Sequence, residues 1–249
     1  MLDLRQEKSL FFFLNLGLIV LILGLFGVNQ IVMAKTMNAM GMKNNSMFNL
    51  SSFDKSLNKD GTVDLTGDIG KDAVSLALFS GQPKIYGAEL NIAFDRAAAA
   101  MNAMKVFDPT YGSQKITLSG ADLQRYTDVG LRIACEFCCG AKALIDKNGQ
   151  AACGCAHSQA MRGLAAYLIQ KHGAEYTNDE ILRELARWKG RYFPKQMIKK
   201  ISEQLQSGQY TPDIAALVLN LKLPKYSASN VGAPLPSEIK DLPSMVGGC

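Results

Sequence analysis

The chain has 249 residues, of which 48% are hydrophobic and 20% charged, a composition that is ordinary for one large folded domain or two small ones. Its formal net charge of +5 is modest, and no basic stripe is interleaved with aromatic residues. The sequence therefore argues against a nucleic-acid partner.

An uncharged segment at 9–28, SLFFFLNLGLIVLILGLFGV, follows a short N-terminal tail at 1–8. As a helix it is long enough to span the hydrocarbon core of a bilayer, which is about 30 Å thick. The alternative is a secretory signal peptide cleaved near Ala34, although the apolar region of such peptides usually has only about 7–15 residues. We expect a single transmembrane helix, with the tail inside and the remaining chain on the extracytoplasmic side of the membrane.

Residues 29–70 are rich in Met and Asn and are predicted to form a linker. Its methionines are concentrated at one end: Met33, Met37, Met40, Met42 and Met47. Methionine is a flexible apolar filler, which suits a chain that leaves a membrane. Thioether sulfur also binds Cu(I), so a copper-binding cluster is the alternative interpretation.

Residues 71–223 are predicted to form a mainly α-helical, cysteine-rich domain. Short strands are expected at 88–94 and 114–118. A helix that begins after Ser119 is expected to end at Cys135.

The helical pattern is clearest after the cysteines. Thr177 and Glu180 have the spacing of a capping box, and Pro194 and Pro212 favour two further helix starts. Apolar residues at helical spacing predict the buried face: Met161, Leu164, Ala165, Leu168, Ile181, Leu185, Trp188 and Tyr192. Residues 224–249 are expected to form an extended tail.

Five of the six cysteines lie in two clusters. They are Cys135, Cys138 and Cys139 in CEFCCG, and Cys153 and Cys155 in CGCAH, which ends at His157. The segment between them, AKALIDKNGQAA, has the Asn-Gly signal of a small β-hairpin. Because a hairpin turns the chain back, the clusters should be neighbours, in the manner of a zinc-ribbon knuckle.

Such a knuckle predicts a metal site. Four thiolates, or three with one imidazole, satisfy tetrahedral Zn²⁺. The preferred ligands are Cys135, Cys138, Cys153 and Cys155, with His157 either a substitute ligand or the start of the next helix. Cys139 would then join a second soft ion such as Cu(I) or remain a buried thiol.

Two other interpretations of the cysteines stay open. An exported domain lies in an oxidising compartment, and Cys249 makes the number of cysteines even, so disulfides are possible. A redox or Fe–S centre is less favoured, since no βαβ pattern surrounds the C-x-x-C motif. No catalytic residues are predicted, because the chain has two histidines and no recognisable catalytic set.

The motifs CEFCCGAK, ACGCAHSQAMRGLAAYLI and RWKGRYFPKQMI resemble a family of uncharacterised membrane-anchored proteins from archaeal and related uncultured genomes. This resemblance covers about residues 83–206 and implies no established activity. CGCAH is also loosely similar to the Pro-Cys-Tyr-Cys-Gly-Cys motif of lipoproteins that are suspected metal binders. We therefore expect a membrane-anchored metal-binding protein with structural zinc. The alternatives are a copper-handling protein and a disulfide-stapled module that binds a protein partner.

Overall fold

The computed structural model describes residues 63–226 and 237–247, which lie within one compact unit. These residues are mainly helical. The helices are α1 (Ile69–Ala77), α2 (Ala97–Lys105), α3 (Gly120–Leu131), α4 (Glu136–Cys139), α5 (Ala156–His172), α6 (Asn178–Tyr192), α7 (Pro194–Ser207) and α8 (Pro212–Leu217), with 3₁₀ helices at Phe94–Arg96 and Ser237–Asp241.

Helix α5 lies at the centre of this arrangement and packs against α2, α3 and α6. Its predicted apolar face is confirmed, since Met161, Leu164, Ala165 and Leu168 are all buried. Gly163 allows the close approach of α2, because the backbone carbonyl of Met104 occupies the space that a Cβ would need. The core therefore depends on a small residue as well as on apolar ones.

Helix α6 connects the remaining helices and packs against α1, α3, α5, α7 and α8. Its predicted capping box is confirmed: the Thr177 side chain accepts from the Glu180 backbone N–H, and the Glu180 side chain accepts in return from the Thr177 N–H. Trp188 and Tyr192 are fully buried on its inner face. Pro194 starts α7 directly afterwards.

The predicted β-hairpin between the cysteine clusters is wrong, because the described residues contain no strand. The chain does reverse, and the Asp146 carboxylate accepts the N–H groups of Asn148 and Gln150 at 2.8 and 2.9 Å. Only one antiparallel bridge forms, between Ile145 and Ala151. The segments on the two sides of this bridge do not extend into strands. The residues before the bridge bond to the end of α3, and the residues after it lead into α5.

The strands predicted at 88–94 and 114–118 are also wrong. The first segment forms turns, with the Leu90 N–H donating to Tyr86 and the Ile92 N–H to Gly87. The second passes the end of α2 without a strand partner among the described residues. Local β-propensity fails here because no neighbouring strand supplies a ladder.

The predicted single-pass membrane architecture, with its extracytoplasmic domain, is contradicted. No helix in the described part of the chain is long and apolar enough to cross a bilayer. The longest, α5, has 17 residues and contains charged Arg162, whereas a span needs about 20 predominantly apolar residues. The segment 9–28, to which the prediction assigned the span, and the methionine-rich segment lie outside the described residues.

Candidate metal centre

One helical turn and one helix start carry the two cysteine clusters. Cys135 precedes α4, and Cys139 ends it. Gly140 follows at a φ of 68°, in the left-handed region that favours glycine, and redirects the chain. Cys153 lies just before α5, and Cys155 is the N-cap of that helix. The reversal at 146–150 brings the two ends together.

A buried ion pair fixes the second cluster to the core. The Arg162 guanidinium donates to both carboxylate oxygens of Asp108, at 3.0 and 2.7 Å, and both side chains are fully buried. A further N–H of Arg162 donates to the Cys153 carbonyl at 2.8 Å. Because Arg presents a rigid planar fork, this contact positions the backbone of the C-x-C segment.

Four side chains form what we call the inner set: Cys135, Cys138, Cys155 and His157. Their candidate ligand atoms all lie within 4.8 Å of one another. The Sγ atoms of Cys135 and Cys155 are 3.6 Å apart, close to the separation of about 3.8 Å that a tetrahedral ion with Zn–S bonds of about 2.3 Å requires. Cys135 and His157 are fully buried, so this cluster could hold an enclosed metal ion.

The His157 ring is oriented for ligation. Its Nε2 lies 2.9 Å from the Val246 carbonyl, which can only accept a hydrogen bond, so in the neutral ring Nε2 carries the proton and Nδ1 a lone pair. Nδ1 is buried and has no hydrogen-bond partner. The ring packs against Tyr192 and Phe193. Metal-bound histidines are commonly held in this way, with the second nitrogen donating to a carbonyl.

A second group, the outer set, consists of Cys139, Cys153 and Cys155, whose Sγ atoms also lie within 4.8 Å of one another. Cys139 is exposed, and the other two are half-buried. Cys155 belongs to both sets. The cluster therefore offers two adjoining positions, one enclosed and one open to solvent.

Hydrogen bonds divide the protons between these sulfurs. The Cys135 thiol, the His157 ring and the groups of Ser158 at the start of α5 hold the pKa of Cys155 well below its usual value, and the pKa of Cys135 is correspondingly raised. Burial and a hydrogen bond with Cys139 raise the pKa of Cys153 to about 11. A bound metal would displace the protons that these sulfurs carry.

The cysteines of the two sets differ in oxidation state. Cys138 is disulfide-bonded, whereas Cys135, Cys139, Cys153 and Cys155 are free. Four free thiols do not fit the alternative of three disulfides. Cys249, which that alternative invoked, lies outside the described residues.

A buried charge network ties α4 to α6, α7 and α8. The Lys189 ammonium group, 1% exposed, donates to Glu136 at 2.9 Å and to Asp213 at 2.8 Å. Lys200 contacts the same two carboxylates. Glu136 directly follows Cys135, so this network fixes the turn that carries the first cluster.

Sequence reasoning placed the cysteines and His157 together but missed the charges that position them. Arg162 and Lys189 each lie next to a residue of a predicted apolar stripe, Met161 and Trp188. A charged residue next to a predicted buried stripe is the sequence signal that could have identified these two side chains. The structure also groups His157, rather than Cys153, with Cys135, Cys138 and Cys155.

Comparisons with protein-family models, curated proteins and solved structures found no match to this chain. The resemblance drawn from the cysteine motifs therefore stays a prediction.

Proposed function

We propose that the protein binds a structural zinc ion through the inner set, with three thiolates and one imidazole as ligands. The observation that carries the proposal is the His157 ring. One nitrogen of this ring lies within 4.8 Å of the three sulfurs of the inner set, Nδ1 is buried without a hydrogen bond, and the Val246 carbonyl accepts from Nε2. A buried lone pair without a donor is costly unless something occupies the place it faces.

The ligand chemistry favours zinc. A Cys₃His set is a common structural zinc site, and such sites are closed to solvent. Cys135 and His157 are fully buried, which suits an ion that stays bound. Soft thiolate ligands also disfavour Mg²⁺ and Ca²⁺, which prefer oxygen.

The location of the set favours a structural role. Its ligands come from α4 and its N-cap and from the N-cap and first turn of α5, and α4 has only four residues of its own. So short a helix has little intrinsic stability. A bound ion would join it to the central helix, so that part of the metal-binding free energy would stabilise the fold.

Cys138 can join the set only as a thiolate, and its disulfide must first be reduced. The proposal therefore concerns the reduced chain. Oxidation would remove one of four ligands.

The test uses the two histidines of the chain as a matched pair. We expect the purified chain, reduced with a phosphine, to bind one Zn²⁺ against a competing chelator, and to bind Co²⁺ with the absorption bands of a tetrahedral thiolate-rich site. His157→Gln should weaken zinc binding by more than the roughly 10–100-fold that loss of a residue supporting a ligand costs.

His172→Gln is the control, because His172 contacts Glu89 and lies outside both sets. Its zinc affinity should equal that of the wild type. Equal zinc affinity in the His157→Gln and His172→Gln variants would contradict the proposed ligand set.

A further inference from the structure

We infer that the outer set is a second metal position, which binds a soft monovalent cation, Cu(I), beside the zinc ion and shares the Cys155 sulfur with it. This inference rests on the proposed function in one respect, namely that Cys155 bridges the two ions. It assigns separate chemistry to Cys139 and Cys153, which the zinc ion does not use.

The geometry fits three-coordinate binding. Three sulfurs at about 2.3 Å from an ion in their plane lie about 4 Å apart. The three Sγ atoms of the outer set lie within 4.8 Å of one another, so small rotations would bring them to that spacing. Thiolates are soft ligands and select Cu(I) over hard cations.

Local hydrogen bonds prepare two of the three sulfurs. The Cys155 N–H lies 3.4 Å from the Cys153 Sγ and donates to it, which orients that sulfur relative to Cys155. The Cys155 Sγ in turn accepts the Ser158 N–H at the start of α5. Arg162 holds the Cys153 carbonyl and so restricts this segment. Two ligands are therefore largely preorganised before an ion arrives.

The third sulfur provides access. Cys139 is exposed at the end of α4, and its Sγ donates to the Cys135 carbonyl at 3.4 Å. The inner set, by contrast, contains fully buried Cys135 and His157. Three ligands at a surface leave room for an incoming ligand, as open metal sites do. The outer position thus suits an ion that is exchanged, and the inner position an ion that is retained.

The two positions also differ in their dependence on oxidation. The outer set does not include Cys138, and its three cysteines are free. Oxidation of Cys138 therefore removes a ligand from the zinc position alone. Cu(I) binding should persist in the oxidised chain.

The experiment titrates the zinc-loaded chain anaerobically with Cu(I), with bicinchoninate as the competing chelator and elemental analysis of both metals. We expect one Cu(I) to bind while zinc is retained. Cys139→Ser should weaken Cu(I) binding by more than about 100-fold and leave zinc affinity unchanged. Because Cys139 is exposed, this variant should fold, which circular dichroism would check.

His157→Gln is the matched variant at the inner position, and it should lose zinc affinity but keep Cu(I). X-ray absorption at the copper edge should show sulfur ligands only. Unchanged Cu(I) affinity in Cys139→Ser, displacement of zinc by Cu(I), or nitrogen bound to copper would each overturn the inference.

These outcomes separate the two proposals. Absence of zinc binding, together with Cu(I) binding that depends on Cys139, would refute the structural zinc ion and leave the outer position standing. The reverse result would refute only the outer position. A repeat without prior reduction, using ascorbate to maintain Cu(I), should give the same Cu(I) affinity.

Discussion

Replacement of Arg162 by methionine tests whether the buried ion pair holds the second cysteine cluster in place. Methionine keeps much of the length of the stem but removes the guanidinium. Asp108 would lose both N–H donors of Arg162 and retain the weaker contact from the Thr110 backbone at 3.2 Å. The Cys153 carbonyl would lose its donor as well.

The expected loss is large because neither partner can reach solvent. Both side chains are 0% exposed, and removal of one member of such a pair typically costs about 3–5 kcal/mol by leaving a charge buried and uncompensated. At about 2–4 °C per kcal/mol for a domain of this size, the midpoint of thermal unfolding should fall by roughly 10 °C. Arg162→Met/Asp108→Asn should recover part of this loss, since it removes the buried negative charge.

Urea unfolding of the reduced, chelator-treated chain, monitored by circular dichroism, would measure the loss of unfolding free energy without a contribution from bound metal. The control is Arg132→Met, since Arg132 pairs with Asp179 at the surface, with 33% and 52% of the side chains exposed. That variant should lose less than about 1 kcal/mol. If Arg162→Met also lost less than about 1 kcal/mol, the result would refute the reasoning.

Two further variants test the packing and the charge network. Gly163→Ala should lower the free energy of unfolding by about 1–3 kcal/mol, because its Cβ would collide with the rigid Met104 carbonyl. Gly154→Ala is the control, because a Cβ at that position would have no atom within 4 Å. In the same urea assay it should change the free energy of unfolding by less than about 0.5 kcal/mol. Burial raises the pKa of Asp213, but the ammonium groups of Lys189 and Lys200 outweigh it and lower that pKa to about 2 from the ordinary 3.8. Since the folded pKa lies below the unfolded one, about 2 kcal/mol of stability should be present above pH 4 and lost as the pH falls towards 2. Asp213→Asn should lack this loss, and an equal loss in wild type and variant would contradict the assignment.

Local patterns in the sequence predicted much of the helical structure. The capping box at Thr177 and Glu180 and the start of α7 at Pro194 depend on contacts within one or two turns. The buried stripe of α6 depends on helical periodicity, which is present in the sequence whatever the neighbouring helices are. Such features can be predicted because the interacting residues are close along the chain.

The predicted strands failed for the opposite reason. A strand forms only where a partner supplies hydrogen bonds, and neither 88–94 nor 114–118 has such a partner in the part of the chain that the structure describes. The hairpin signal at Asn148 and Gly149 predicted the reversal correctly. The residues on its two sides do not pair as strands, because those before the turn bond to the end of α3 and those after it lead into α5. The turn depends on residues that are close together in the sequence, whereas a β-ladder depends on a partner strand.

The sequence by itself determined the inventory of the candidate site: two cysteine clusters, a histidine and a turn that returns one cluster to the other. Only the tertiary structure decided which sulfurs share a position. Val246 is 89 residues from His157 in sequence, yet its carbonyl fixes the ring through Nε2 and leaves Nδ1 buried without a hydrogen bond. Asp108 and Arg162, 54 residues apart, likewise hold the backbone of Cys153, which belongs to the outer set. Contacts over such separations arise from packing of the whole core, which no local spacing of cysteines encodes.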